Sequence, residues 1–363
     1  VKYLDEFRKP EVARRLAAQI ERVAGTRRIA MMEVCGTHTM AAARYGIREL
    51  LPAGVELISG PGCPVCVTSN RYLDTAVALA RQENTTLVTF GDMFRVPGST
   101  SSLEWEKMRG ADVRIVYSPS DAVELAAREP DRNIVFLGVG FETTAPLVAA
   151  SVLEARDRSI ANFSVFCGHK VIPPALNALA TDAKLGVDGF LCPGHVSAII
   201  GARPYEFLPR DYGIPCVVAG FEPSDILEGV LMLVKQVADG RAEVEIQYSR
   251  VVDWDGNLKA REIMDRAFDR AAAEWRGLGV MPDSGLVIRP ELARWDAERL
   301  FDVQVEETRE APGCACGDVL RGVTRPPECP LFAAGCTPDN PVGPCMVSSE
   351  GTCAAYYRYL RST

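Results

Sequence analysis

The sequence predicts an α/β fold in which two parallel-sheet units flank a cleft, followed by a cysteine-rich C-terminal domain. Three observations carry that expectation. Short runs rich in Val, Ile, Leu and Phe alternate with helical patterns from residue 29 to residue 219. Nearly every run ends in a loop of Gly, Pro, Cys, His or Glu. From Pro312 onward the chain is crowded with Gly, Pro and Cys and has little periodicity.

Residues 1–25 read as a helix, with Leu16, Ile20 and Val23 on one face and Gly25 as its stop. The apolar runs are 29–34, 55–59, 86–90, 113–117, 134–139, 163–166, 189–191 and 216–219. Helices are expected between them, at 72–81, 122–128, 147–155 and 226–237. Near-continuous apolar strands in such an alternation imply Rossmann-like parallel sheets covered on both faces. The first unit is expected over 26–132 and the second over 133–239. Beyond Gly240, alternation at Val244, Ile246 and Tyr248 predicts a strand. Ile263, Met264 and Phe268 share a face in a helix predicted over 258–275. The final segment cannot build a large core of its own, so covalent or metal cross-links must order it. Residues 1–25 are expected to pack with residues 240–363 in this third domain.

The 363 residues are 47% apolar and 24% charged, enough for a proper core in each of two or three domains. A net charge of −8, dispersed along the chain, argues against nucleic-acid binding, which needs a basic footprint. No apolar run approaches the roughly 18 residues that span a bilayer. The first 15 residues are charged and lack a signal peptide's apolar core, so a cytoplasmic protein is expected. Twelve cysteines are too many for an ordinary chain in a reducing compartment, where clustered thiols bind metal or do redox chemistry. All three histidines lie within three residues of a cysteine: His38 after Cys35, His169 after Cys167 and His195 after Cys192.

Ligands gather at the carboxyl ends of strands in open α/β sheets. The motifs fall there: Cys35-Gly36-Thr37-His38, Gly60-Pro61-Gly62-Cys63-Pro64-Val65-Cys66, Gly91-Asp92-Met93, Gly140-Phe141-Glu142-Thr143-Thr144, Cys167-Gly168-His169-Lys170 and Cys192-Pro193-Gly194-His195. Their loops are expected to face one cleft. Cys63 and Cys66 form a Cys-x-x-Cys pair before a helix, whose dipole favours the thiolate. The pair can cycle between dithiol and disulfide or hold a metal edge; half of a structural zinc site is the alternative. Cys35 is a soft ligand suited to ferrous iron, against the reading of a small core cysteine. Glu142 is a candidate base, with helix capping by Thr143 and Thr144 as the plainer role. His195 and His169 stand between function and structural packing. Cys167, Cys192 and Cys216 read as core residues.

Cys314, Cys316, Cys329, Cys336, Cys345 and Cys353 crowd the last fifty residues. Four thiolates hold one [4Fe-4S] cluster and six leave two over, enough for a neighbouring disulfide. Zinc held by four thiolates is the rival. A stand-alone disulfide reductase and a zinc-stabilised binding module compete with an assembly role.

The motifs above, together with Pro193-Gly194-His195-Val196-Ser197, Glu328-Cys329-Pro330-Leu331-Phe332 and the run from Cys345 to Gly351, resemble the HypD family of nickel–iron hydrogenase maturation factors along essentially the whole chain. The resemblance implies a scaffold and redox factor for the Fe(CN)2CO centre, and leaves turnover as an enzyme undecided. It implies a stable complex with HypC, transient contact with HypE as cyanide donor, an indirect link to the hydrogenase large subunit, and a monomer when alone. Cys35 then matches the cysteine that ligates the transient iron carrying cyanide and carbonyl ligands, with His38 in the same motif. Cys63 and Cys66 match the family's thiol pair, and Glu142 and His195 fall in its motifs. The C-terminal domain becomes an iron–sulfur domain similar to ferredoxin–thioredoxin reductase. Likeness to that enzyme's Cys-x-Cys elements gives Cys314, Cys329, Cys336 and Cys353 to the cluster, and Cys316 and Cys345 to a redox pair.

Overall fold

The computed structural model describes residues 5–182 and 185–360. All eight predicted runs are strands: β1 Ile29–Glu33, β2 Val55–Ser59, β3 Thr85–Thr89, β4 Asp112–Ile115, β5 Asn133–Gly138, β6 Phe163–Cys167, β7 Gly189–Pro193 and β8 Cys216–Ala219. They are followed by β9 Val244–Ile246, β10 Phe268–Trp275 and β11 Gly279–Ile288. The four predicted helices form as Asn70–Ala80, Pro119–Arg128, Ala145–Asp157 and Pro223–Ala238.

Two parallel sheets result, as expected, but they do not follow the division at 132/133. One has the order β2-β1-β7-β8-β9 and the other β4-β3-β5-β6. The strands of 26–132 are therefore split between both sheets, and the chain returns to the first sheet at Gly189. Each sheet reverses its strand order once, between β1 and β7 and between β3 and β5. Crevices open at such points, beyond the carboxyl ends of the strands. The Cys35 and His195 loops flank the first reversal; the Asp92 and Glu142 loops flank the second.

The first predicted helix forms over Pro10–Ala24, with Pro at its start and Gly25 (φ 58°) ending it. Residues 1–4 of that expectation lie outside the described residues. Leu16, Ile20 and Ala24 are buried against Ile226, Leu227 and Val230 of the helix Pro223–Ala238. The N-terminal helix thus belongs to the first sheet's outer layer, not to the cysteine domain; its apolar stripe found a matching stripe there.

The helix predicted over 258–275 stops at Ala267. Phe268–Trp275 is instead a strand, paired antiparallel with β11 from Phe268↔Ile288 to Trp275↔Gly279. Among the described residues no helix is long and apolar enough to cross a membrane.

Candidate functional site

Cys35 ends the loop after β1, at the N-cap of the helix Gly36–Arg44. Cys63 and Cys66, after β2, are joined as a disulfide across the short helix Pro64–Val67, their Cα atoms 5.2 Å apart. The expectation of a lowered thiol pKa there has no thiol to act on in this state. The two loops interlock. Gly36 N donates to Gly62 O at 2.9 Å, and a Cβ on Gly62 would lie 2.2 Å from Cys35 N. Only glycine permits that approach.

Cys35 is buried, and burial, then the Glu350 carboxylate, pushes its thiol up to about 12, against the pull of the His38 and Thr37 amides. At neutral pH it is a protonated thiol, so a bound cation must displace the proton. Glu33 closes β1 beside it, fully buried. Its Oε1 accepts from Thr39 Oγ1 at 2.6 Å and Arg48 Nη2 at 3.3 Å; Oε2 accepts from Cys35 N at 3.4 Å. Desolvation outweighs the Arg48 cation and pushes the Glu33 carboxyl up to about 7.

The C-terminal segment closes over both loops. Thr37 Oγ1 donates to Glu350 Oε1 at 2.7 Å, and Ser348 Oγ donates to Asp92 Oδ2 at 3.2 Å. Cys66 Sγ lies 4.0 Å from the carbonyl oxygen of Pro344, the residue before Cys345. Cys314, Cys316, Cys329, Cys336, Cys345 and Cys353 line one small cavity with Phe332 and Met346. Cys316 Sγ is 3.0 Å from Cys345 Sγ. Hydrogen bonding with the Cys314 and Cys345 sulfurs holds the Cys316 thiol well below its ordinary value, with the Arg276 cation adding to the effect. Among the described residues no three His, Cys, Asp or Glu side chains are placed to hold a single metal ion. The donor set itself, six sulfurs around one apolar cavity, fits a thiolate-bound iron–sulfur cluster, which takes four of them.

His38 points from the first turn of its helix toward β8. Its Nε2 lies 2.9 Å from Gly220 O and 3.3 Å from Ala219 O, which makes it the protonated nitrogen; buried Nδ1 has no partner. Burial pushes its pKa down to about 4, so the ring is neutral. His195 stacks on Phe221 with ring centroids 3.8 Å apart, and the same Phe221 ring lies 4.9 Å from His38. The two histidines therefore share one aromatic partner at the strand-order reversal of the first sheet.

Glu142 does not line an open cleft. It is fully buried, with Oε1 accepting from Ile172 N at 3.0 Å and Oε2 without a partner. Burial pushes it up to about 7. None of its hydrogen-bond partners among the described residues lies in the Cys35 or Cys63 loops. Its neighbours are the Cys167–Lys170 loop, tied to it by Lys170 N donating to Gly140 O at 2.9 Å. There His169 is buried with a pKa down to about 3. Phe141 stacks on Trp275 with ring centroids 5.8 Å apart, and Trp275 bridges to Thr68, two residues after Cys66. Cys192 and Cys216 are fully buried core residues on β7 and β8.

Sequence reasoning missed Glu33 and gave Glu350 and Arg276 no role. A carboxylate closing the apolar strand Ile29–Glu33 was a readable signal for the first. Nothing local marks the others, which reach the site only by folding.

A family model described as "Hydrogenase formation hypA family", named HypD, matches residues 11–360. A hydrogenase maturation factor HypD of Cupriavidus necator is 48% identical over 370 residues, covering 99% of this chain and 98% of the relative. One from Azotobacter vinelandii is 50% identical, covering 99% and 97%. One from Escherichia coli is 45% identical, covering 99% and 98%.

Proposed function

Because the chain belongs to the HypD family of hydrogenase maturation factors, we propose that it is the scaffold and redox factor on which the Fe(CN)2CO centre of nickel–iron hydrogenases is assembled, in complex with HypC and with cyanide received through HypE. Iron is the cargo. Cys35 supplies a soft sulfur ligand, with a HypC cysteine as its counterpart. The proton leaving the Cys35 thiol has near neighbours to take it: Glu33, whose carboxyl titrates near neutrality, and Glu350. Neutral His38 lies with His195 at the same sheet reversal, where His38 Nδ1 keeps a free lone pair for a proton or a partner's donor.

The observation that carries the reading is the continuity of sulfur. The Cys63–Cys66 loop holds the Cys35 backbone, and Cys66 Sγ touches the peptide that leads into Cys345. In this reading Cys314, Cys329, Cys336 and Cys353 hold a [4Fe-4S] cluster, which when bound supplies electrons one at a time. Cys316 and Cys345, at 3.0 Å, are the exchanging pair. Thiol–disulfide exchange with Cys63–Cys66 then balances: the Cys316/Cys345 dithiol gives up two electrons and two protons and closes, and the Cys63–Cys66 bond takes them and opens.

The test is infrared spectroscopy of the complex with HypC, isolated without oxygen, alongside iron and sulfide analysis. Sharp bands of bound cyanide and carbonyl are expected, with about four sulfides per chain. Cys35→Ala is expected to lose the bands and keep the sulfide. Bands that persist in Cys35→Ala overturn the iron-site assignment, and retained disulfide-reductase activity without bands points to a stand-alone reductase.

A further inference from the structure

The turn between β10 and β11 is wedged between the two sulfur stations. Arg276 N donates at 2.9 Å to the carbonyl of Val67, the residue after Cys66, and Trp275 bridges to Thr68. One residue on, Gly277 (φ +78°) packs against Gly317, the residue after Cys316; a Cβ there would meet Gly317 O at 2.5 Å. Arg276 itself is 6% exposed. Its Nε donates to Thr68 O at 3.2 Å and its Nη2 to Asn70 Oδ1. It shares a small cavity with Cys314 and Cys316.

A guanidinium cannot shed its proton, so this charge is permanent. Burying it is costly without an opposing charge. Its one ion-pair partner among the described residues, Glu310, sits 3.5 Å away with a side chain 62% exposed, so water screens much of that pairing. Iron held by the thiolates of this station would supply the missing negative charge, and one-electron reduction would deepen it by one unit. We propose that Arg276 is a positioning residue that sets the reduction potential of the C-terminal cysteine station, holding a fixed positive charge against its reduced form. The inference rests on the cluster assigned to that station above.

The test is a dithionite titration of the full chain, followed by electron paramagnetic resonance, with iron and sulfide counted in each sample. Arg276→Met is expected to make reduction about tenfold less favourable, 59 mV more negative for one electron. Arg276→Lys keeps the charge and is expected to recover most of that shift. Glu310→Gln removes the screening carboxylate at the surface and is expected to shift the potential the opposite way, by about twofold to threefold. If Arg276→Met fails to fold, Glu310→Gln and Arg276→Lys decide the matter. Unmoved potentials in cluster-loaded variants, or equal shifts for Lys and Met, overturn the proposal while leaving the cluster in place. Unaltered protein without iron and sulfide overturns the cluster reading, and this inference with it.

Discussion

Cys35 and Glu142 illustrate how far a residue's chemistry departs from its type once buried. Cys35 is pushed up to about 12, so its thiolate would need a bound cation, not an intrinsic low pKa, to stabilise it. Glu142 has its pKa raised to about 7 from an ordinary 4.5. Between those values the folded chain binds more protons at this site than the unfolded chain, so stability falls as pH rises through that window and is level above it. The loss is at most about 3 kcal/mol. Glu142→Gln is therefore expected to raise the melting temperature, relative to the unaltered chain, more at pH 8 than at pH 5; an equal difference at both would refute the shift. His38 acts in the opposite sense. Lowered to about 4, it contributes stability that is present above about 6.5 and lost as pH falls through 4.

At the scale of elements, the interlocked loops after β1 and β2 are the feature most sensitive to a single atom. A methyl at position 62 meets backbone, which cannot swing aside. Gly62→Ala is expected to cost about 2 kcal/mol or more in urea unfolding and to lower iron bound at Cys35 while sulfide content stays. An unaffected iron content would show that the loop contact does not set the Cys35 position. The β10–β11 hairpin is where element type was misread. Phe268–Trp275 contains Ala271, Ala272 and Ala273, strong helix formers, yet only Phe268 and Trp275 of it are buried, with intermediate and exposed residues alternating between. Pairing with β11 supplied what propensity opposed.

Across the whole molecule, the first sheet is completed only after the second has been threaded. Its outer layer joins residues from both ends of the α/β region: Ile20 of the N-terminal helix is fully buried against the helix Pro223–Ala238. Ile20→Ala is expected to destabilise by about 3 kcal/mol through the cavity it leaves. Because that helix packs away from the cysteines, the visible absorption of the cluster proposed for them is expected to stay unchanged below the melting transition. A bleached spectrum in folded Ile20→Ala protein would mean the two regions are coupled.

The sequence by itself determined every parallel strand of both sheets, the four main helices and the positions of all the motif loops, because periodicity and Gly, Pro and Cys punctuation are local signals. It also marked Cys35, Cys63, Cys66 and the six C-terminal cysteines by type and spacing. Only the tertiary structure decided that the strands of 26–132 divide between two sheets, that His38 turns toward Phe221 and His195, that Glu142 is sealed, and that Glu350 and Arg276 arrive from 313 and more than 200 residues away. Strand order and long-range charge depend on which apolar faces bury one another, and that choice is made by packing between segments, not within them.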